Sequence, residues 1–403
     1  MLRKILFWSH LVCGLAAGAL ILVMSFTGAA LAFEKDLLAW AERDARRLTV
    51  PATGSRLTVD ELLARARVAQ PDVRIGSLTV ARDPGEAATF TAPGNRTFCV
   101  NPYTGEVREA LAPRTRAFMQ AMRAWHTRLN VTPPPAPPPG QPRPANPGAF
   151  ANAAANCIFV FLCLSGLVLW WPRAWTWRAL RPLLVFTPEA RGRARDWNWH
   201  NAIGFWSLPL LLVLAGTGVV LSYRWAGDLV YRLAGETPPP PQIGPPPPPA
   251  LPPAARATVA AAPVGLPLTA QGRLDAVKRA TTGWTHITLR FAPALGASAS
   301  DQPAPKTFSA TVKERAAWPP FFARTLILDA TTGGVRHTEE FAALSAGTRA
   351  RRWIRLLHSG EALGRVVQAL SGLACLGGCV LVYTGGALAW RRFFPRRPAV
   401  SAG

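Results

Sequence analysis

Six histidines occur in a chain of 403 residues, and four of them take matched positions. His10 and His200 each precede a glycine by four residues (Gly14, Gly204) and a threonine by 17, in Thr27-Gly28 and Thr217-Gly218. His126 and His358 lead into two later apolar runs. A histidine at the edge of a membrane span is costly without a partner, so each is a candidate functional residue. Two neutral imidazoles from facing helices, one on each side of a flat macrocycle, are what a six-coordinate haem iron requires. The pairing predicts His10 with His200 on one haem b and His126 with His358 on a second, two groups stacked across a bilayer. From His10 to Thr27 is about 26 Å of helix, so the pairs lie near opposite faces. Gly14 and Gly204 clear the helix one turn from the histidines, where a porphyrin needs room; close helix packing is the competing use. Arg3, Lys4, Arg195, Arg123, Arg128, Arg352 and Arg355 lie near these histidines as partners for haem carboxylates, or as ordinary interfacial cations. His286 and His337 lack a partner at ligand spacing and are expected at the surface.

The elements that must carry these residues are four apolar runs, 9–33, 150–171, 202–223 and 363–390, each long enough to cross about 30 Å of hydrocarbon. The first follows a basic start and ends in Ala30-Leu31-Ala32, as a cleaved signal does. Its length and its recurrence in mid-chain predict an uncleaved anchor instead. Arg3 and Lys4, then Arg173, Arg178, Arg181, Arg191, Arg193 and Arg195, then Arg391, Arg392, Arg396 and Arg397 flank the runs on one side, which the positive-inside rule makes cytoplasmic. Glu34, Asp36, Asp228 and Glu236 mark the outer ends.

The formal charge of +23 is thereby a topology signal, almost all of it arginine beside the single lysines Lys4, Lys35, Lys278, Lys306 and Lys313. No basic stripe with interleaved aromatics exists, which argues against nucleic acid. Five of the six cysteines lie in apolar runs and only Cys99 does not, so no disulfide framework is present. Dinucleotide, P-loop and zinc-protease motifs are absent. Four helices without intramembrane acids or broken segments also give a permease little support.

The pattern repeats internally. Ser165-Gly166, four residues, Trp171 and Arg173 is matched by Thr384-Gly385, four residues, Trp390 and Arg392. Leu57-Thr58 opens a helical stretch that passes through strand-like residues to Asn101-Pro-Tyr-Thr-Gly-Glu-Val-Arg108; Leu268-Thr269 opens its counterpart, ending Asp329-Ala-Thr-Thr-Gly-Gly-Val-Arg336. Each Thr-Gly followed by Val reads as a hairpin turn between two strands. The fold expected is an all-α four-helix membrane bundle plus two small periplasmic α+β domains, built by duplication. The boundaries are helix 1–33, outer domain 34–130, proline-rich linker 131–149, helix 150–171, cytoplasmic loop 172–200, helix 201–223, linker and second outer domain 224–357, helix 358–392 and tail 393–403. The proline-rich tracts themselves, 133–147 and 238–253, read as extended spacers. Trp284, Trp318 and the other outer aromatics either fill domain cores or form a substrate surface, and the core is the expected place.

His10-Leu-Val-Cys-Gly14, His200-Asn-Ala-Ile-Gly-Phe-Trp206, His358-Ser-Gly-Glu-Ala-Leu-Gly364 and the Asn101-Pro-Tyr-Thr-Gly-Glu106 turn resemble the PepSY-associated transmembrane proteins over nearly the whole chain. The resemblance implies a bacterial inner-membrane protein with PepSY-like outer domains, in some members a haem-containing reductase that releases iron from ferric siderophores. It carries the ligand role to His10, His126, His200 and His358, with membrane lipid, a ferric chelate or siderophore, and a quinol or other electron donor as partners. No general acid or base is needed for one-electron reduction. His126 departs from the pattern: it stands 39 residues before Ser165, against 26 from His358 to Thr384, and is expected on a separate outer helix. The reading from another class is a non-enzymatic, membrane-anchored protein whose PepSY modules bind a peptide, protease or uptake partner, with structural histidines.

Overall fold

The computed structural model describes residues 1–109, 111–135, 138, 141, 144–240, 266–291, 306–319 and 322–394. Residues 136, 137, 139, 140, 142 and 143 of the first proline-rich tract, 241–253 of the second and the tail from 395 lie outside them. In chain order the helices and strands are α1 (Leu2–Ala32), α2 (Glu34–Ala41), α3 (Arg43–Arg46), α4 (Val59–Ala69), β1 (Ser77–Ala81), β2 (Ala88–Ala92), β3 (Arg96–Val100), β4 (Val107–Arg108), α5 (Pro113–Arg128) and α6 (Pro147–Trp170). After α7 (Trp177–Leu184) come α8 (Gly192–Ser222), α9 (Arg224–Leu233), α10 (Ala270–Ala280), β5 (Trp284–Arg290), β6 (Thr307–Glu314), β7 (Arg324–Asp329), β8 (Val335–Glu339), α11 (Ala346–His358) and α12 (Gly364–Phe393). Two compact units result: a helical one of residues 1–35, 116–244 and 346–403, and a sheet unit of 36–115 and 245–345.

In the helical unit α1, α6, α8 and α12 are long and apolar enough to cross a membrane. With no water in hydrocarbon, only a helix satisfies such a run's backbone locally. Asn146 starts α6 by accepting the Ala149 N–H at 2.9 Å, with Pro147 following it. Each of α1 and α8 packs on both α6 and α12, which puts α1 and α8 on opposite corners of a ring. Ala17, Ile21, Met24 and Ala155 form one buried cluster, and Cys163, Leu211 and Ala374 another. Small residues set the spacing: a methyl on Gly378 would lie 2.7 Å from Ser25 Oγ, and one on Gly372 2.7 Å from the Phe33 ring. His126 sits on α5, separate from α6, and His358 ends α11, which the turn at Gly360 divides from α12.

The sheet unit differs from the expectation of two separate α+β domains. Its strands form one antiparallel sheet ordered β4-β3-β2-β1-β5-β6-β7-β8. Five residue pairs join β1 to β5, from Ser77 with Arg290 to Ala81 with His286. Two small sheets would each leave a bare edge here, and pairing removes both. Helices α4 and α10 pack on one face, burying Leu62, Ala66, Leu274 and Val277 against Leu78, Phe90, Phe98, Ile287, Leu289, Val312 and Leu328. The two helices also cap each other: Asp60 accepts the Ala270 and Gln271 N–H groups at 2.9 and 3.0 Å, and Gln271 Oε1 accepts the Val59 N–H at 2.9 Å.

Both expected hairpin turns form. Asn101 Oδ1 accepts the Tyr103 N–H, and Asp329 Oδ1 accepts from Thr331 and Thr332, with Gly105 and Gly333 at positive φ. Burial alone would raise the Asp329 carboxyl, but the bonds from Thr331, Thr332 and Arg336 outweigh it and hold it well below the usual range. Trp284 packs against the core as expected, whereas Trp318 is 77 % exposed and fills none. The six cysteines are all unpaired.

Candidate haem-ligand site

Each of the four histidines rests in a socket built by a hydroxyl residue and the glycine after it. His10 Nδ1 lies 2.8 Å from Ser165 Oγ, and His200 Nδ1 2.9 Å from Thr384 Oγ1. His126 Nδ1 lies 3.0 Å from Thr27 Oγ1 and His358 Nδ1 3.1 Å from Thr217 Oγ1. The following glycines make room for the rings: a methyl on Gly166, Gly28, Gly385 or Gly218 would stand 3.4, 3.3, 3.4 or 3.2 Å from the Cε1 of His10, His126, His200 or His358.

The hydroxyls decide which ring nitrogen carries the proton. Thr27 already donates to the Val23 carbonyl at 2.6 Å, Thr217 to Val213 at 2.6 Å, and Thr384 to Val380 at 2.8 Å. A hydroxyl whose hydrogen is spent on a carbonyl can only accept from the imidazole, so Nδ1 holds the hydrogen and Nε2 keeps its lone pair. At His126 and His358 the Met24 and Leu214 carbonyls, 3.1 and 3.0 Å from Nδ1, enforce the same tautomer. Ser165 donates to Leu162 at a longer 3.3 Å, making the His10 socket the least firmly held. A ligand histidine needs this arrangement, with an outer hydrogen bond fixing tautomer and ring direction while the other nitrogen faces the metal.

The residues fit a group held between two imidazoles. His126 and His358 have ring centroids 6.1 Å apart with planes at 51°. His126 and His358 would hold such a group from two sides, and a haem there would supply one-electron chemistry. His10 and His200 project from α1 and α8, the opposite corners of the ring. No cluster of three or more His, Cys, Asp or Glu at metal-holding distance occurs among the described residues. Gly14 and Gly204 are open positions, where a methyl would meet only Leu162 at 3.9 Å and Leu381 at 3.6 Å.

The structure separates the flanking cations. Arg3 caps the end of α6 through the Leu169 carbonyl at 2.7 Å, Arg123 pairs with Glu34, and Arg195 pairs with Asp196 at 2.9 Å. Arg128 has a buried Nε without a hydrogen-bond partner among the described residues. In the sheet unit His286 is not isolated: its Nε2 lies 3.4 Å from Glu86, beside a cavity of about 260 Å³ lined by Arg46, Thr79, Thr89, Thr91 and Thr97. Sequence reasoning treated Thr27, Thr217, Ser165 and Thr384 as markers of a repeat and missed them as partners. The available signal was the repeat itself, Thr-Gly at the same distance along α1 and α8 and Ser/Thr-Gly at the same distance before Trp171 and Trp390. It also missed Asp196, a buried acid in α8 hidden in an arginine-rich stretch.

Four spans, a separate antiparallel sheet unit and histidines socketed in the bundle define an integral membrane protein with an extramembrane module. The chain belongs to the family described as PepSY-associated TM region, whose profile matches residues 7–392. No curated protein matches the sequence.

Proposed function

We propose that the protein is a dihaem b-type electron-transfer protein of the bacterial inner membrane that reduces ferric iron, held in a chelate such as a siderophore, on the periplasmic side. The observation that carries this reading is the set of four histidines whose Nδ1 atoms are engaged by hydroxyls, a tautomer that leaves each Nε2 a lone pair able to ligate iron. Haem bound at the two pairs supplies one-electron transfer across the bilayer.

The protein's own share is to hold and insulate. His10 with His200, and His126 with His358, fix two positions along the bundle axis, and the hydroxyl-glycine sockets keep each ring from rotating. Ile21, Met24 and Leu211, all buried, keep water from the stretch between the levels. Arginine on the flanks orients the outer pair toward the periplasm. Iron leaves its chelate after accepting one electron, because most siderophores hold Fe(II) far less tightly than Fe(III). We read the matched sockets as the product of a duplication, each half contributing one ligand per level.

The test is haem and iron content with an absorption spectrum of protein purified from cells well supplied with haem. Two haems per chain, with a low-spin b-type spectrum that reoxidises on adding a ferric chelate, are expected. Colourless protein would sink the proposal.

A further inference from the structure

Asp196 is 1 % exposed, a buried carboxylate in a membrane protein that the ligand sockets do not use. It stands on α8 four residues before His200, one turn away on the same face. Helical side chains lean toward the N-terminus, so His200 tilts toward it. Arg195 donates to its Oδ1 at 2.9 and 3.1 Å from Nη2 and Nε. Arg391, on α12, places Nη2 3.1 Å from Oδ2. The Asp196 to Arg391 ion pair therefore joins the two helices that also meet through His200 and Thr384, two turns earlier on α12.

The first half makes the corresponding tie without an acid. At the place of Asp196, four before His10, stands Leu6, and α1 is secured to the end of α6 by Arg3 on the Leu169 and Trp171 carbonyls. Burying a carboxylate is costly until its partners offset the lost hydration, so fastening two helices does not by itself explain the acid. A fixed negative charge one turn from a ligand histidine does something that a carbonyl cap cannot: it offsets two nearby guanidinium charges and sets the local field.

We infer that Asp196 is a positioning residue of the inner site, holding α12 so that Thr384 stays on His200 and balancing Arg195 and Arg391 beside it. This rests on the haem reading above. The test is potentiometric and spectroscopic titration of the full-length protein, with the inner haem identified as the one lost in His200→Ala. Asp196→Asn, which leaves two uncompensated cations, should raise the midpoint potential of that haem alone, and Arg391→Gln should lower it. Asp196→Glu should return it toward the wild-type value. Unmoved midpoints in both Asp196→Asn and Arg391→Gln, or equal shifts of both haems, would overturn the assignment. Wild-type protein without haem would instead defeat the functional reading, and is seen before any variant is made.

Discussion

The two units join the first and second halves of the chain by opposite means. In the sheet unit hydrogen bonds cross between halves: β1 pairs with β5, Asp60 and Gln271 cap each other's helices, and Thr79 meets Thr288 at 2.8 Å between hydroxyls. In the helical unit every histidine socket closes within one half, His10 with Ser165, His126 with Thr27, His200 with Thr384 and His358 with Thr217. Bonds that do cross there among the described residues, such as Asn156 to the Ala215 carbonyl, Gln368 to the Ala32 carbonyl and Lys35 to Glu361, involve no histidine. A sheet needs its edges satisfied and fuses. Bundle halves that satisfy their own polar groups can each offer a ligand to a shared central space.

The sharpest way to break this comparison is to remove a ligand. On the dihaem proposal, His358→Ala should reduce haem from two per chain to one while the remaining haem keeps its spectrum, measured by pyridine haemochrome and absorption; loss of both would mean that the levels are not independent. Removing a socket hydroxyl is milder. Thr384→Val should weaken haem binding at that level by about 10–100-fold, the usual effect of deleting a partner behind a metal ligand, read as the rate of haem transfer to an acceptor protein. Thr27→Val should act in the same way at the other level alone, since a carbonyl stays behind each ring, Met24 for His126 and Leu381 for His200.

In the sheet unit Asp60→Ala removes a cap from α10 and should cost about 1–2 kcal/mol of that unit's stability, seen in thermal unfolding with the haem spectrum unchanged. A haem change there would contradict the division of labour. The smallest effect is acid titration of Glu86. Its hydrogen bond with His286 holds its carboxyl below the ordinary value, so the stability it contributes is present above the unfolded pKa and lost as pH falls through the lowered one. Glu86→Gln should flatten the acid side of the unfolding curve slightly.

Much of the site was legible because membrane and repeat impose one-dimensional rules. Apolar length marked the four spans, equal spacing to Thr-Gly singled out His10 and His200, and His126 and His358 were picked out only by their places ahead of the later runs. The Asn101 and Asp329 turns were readable because a side chain and a positive-φ glycine act within six residues. The hydroxyl sockets were not readable as contacts: Thr27 lies 99 residues from His126, and only the folding back of α5 onto α1 brings them together.

By itself, then, the sequence determined the number of spans, the ligand candidates and the two hairpin turns, since each depends on residues near one another in the chain. Only the tertiary structure decided that eight strands make one sheet rather than two, that the Ser/Thr-Gly pairs hold the imidazoles, and that Asp196 reaches Arg391. Those outcomes turn on which distant edges, hydroxyls and charges find each other. Unsatisfied hydrogen-bond groups and buried charges enforce that selection strongly, but no local pattern announces it.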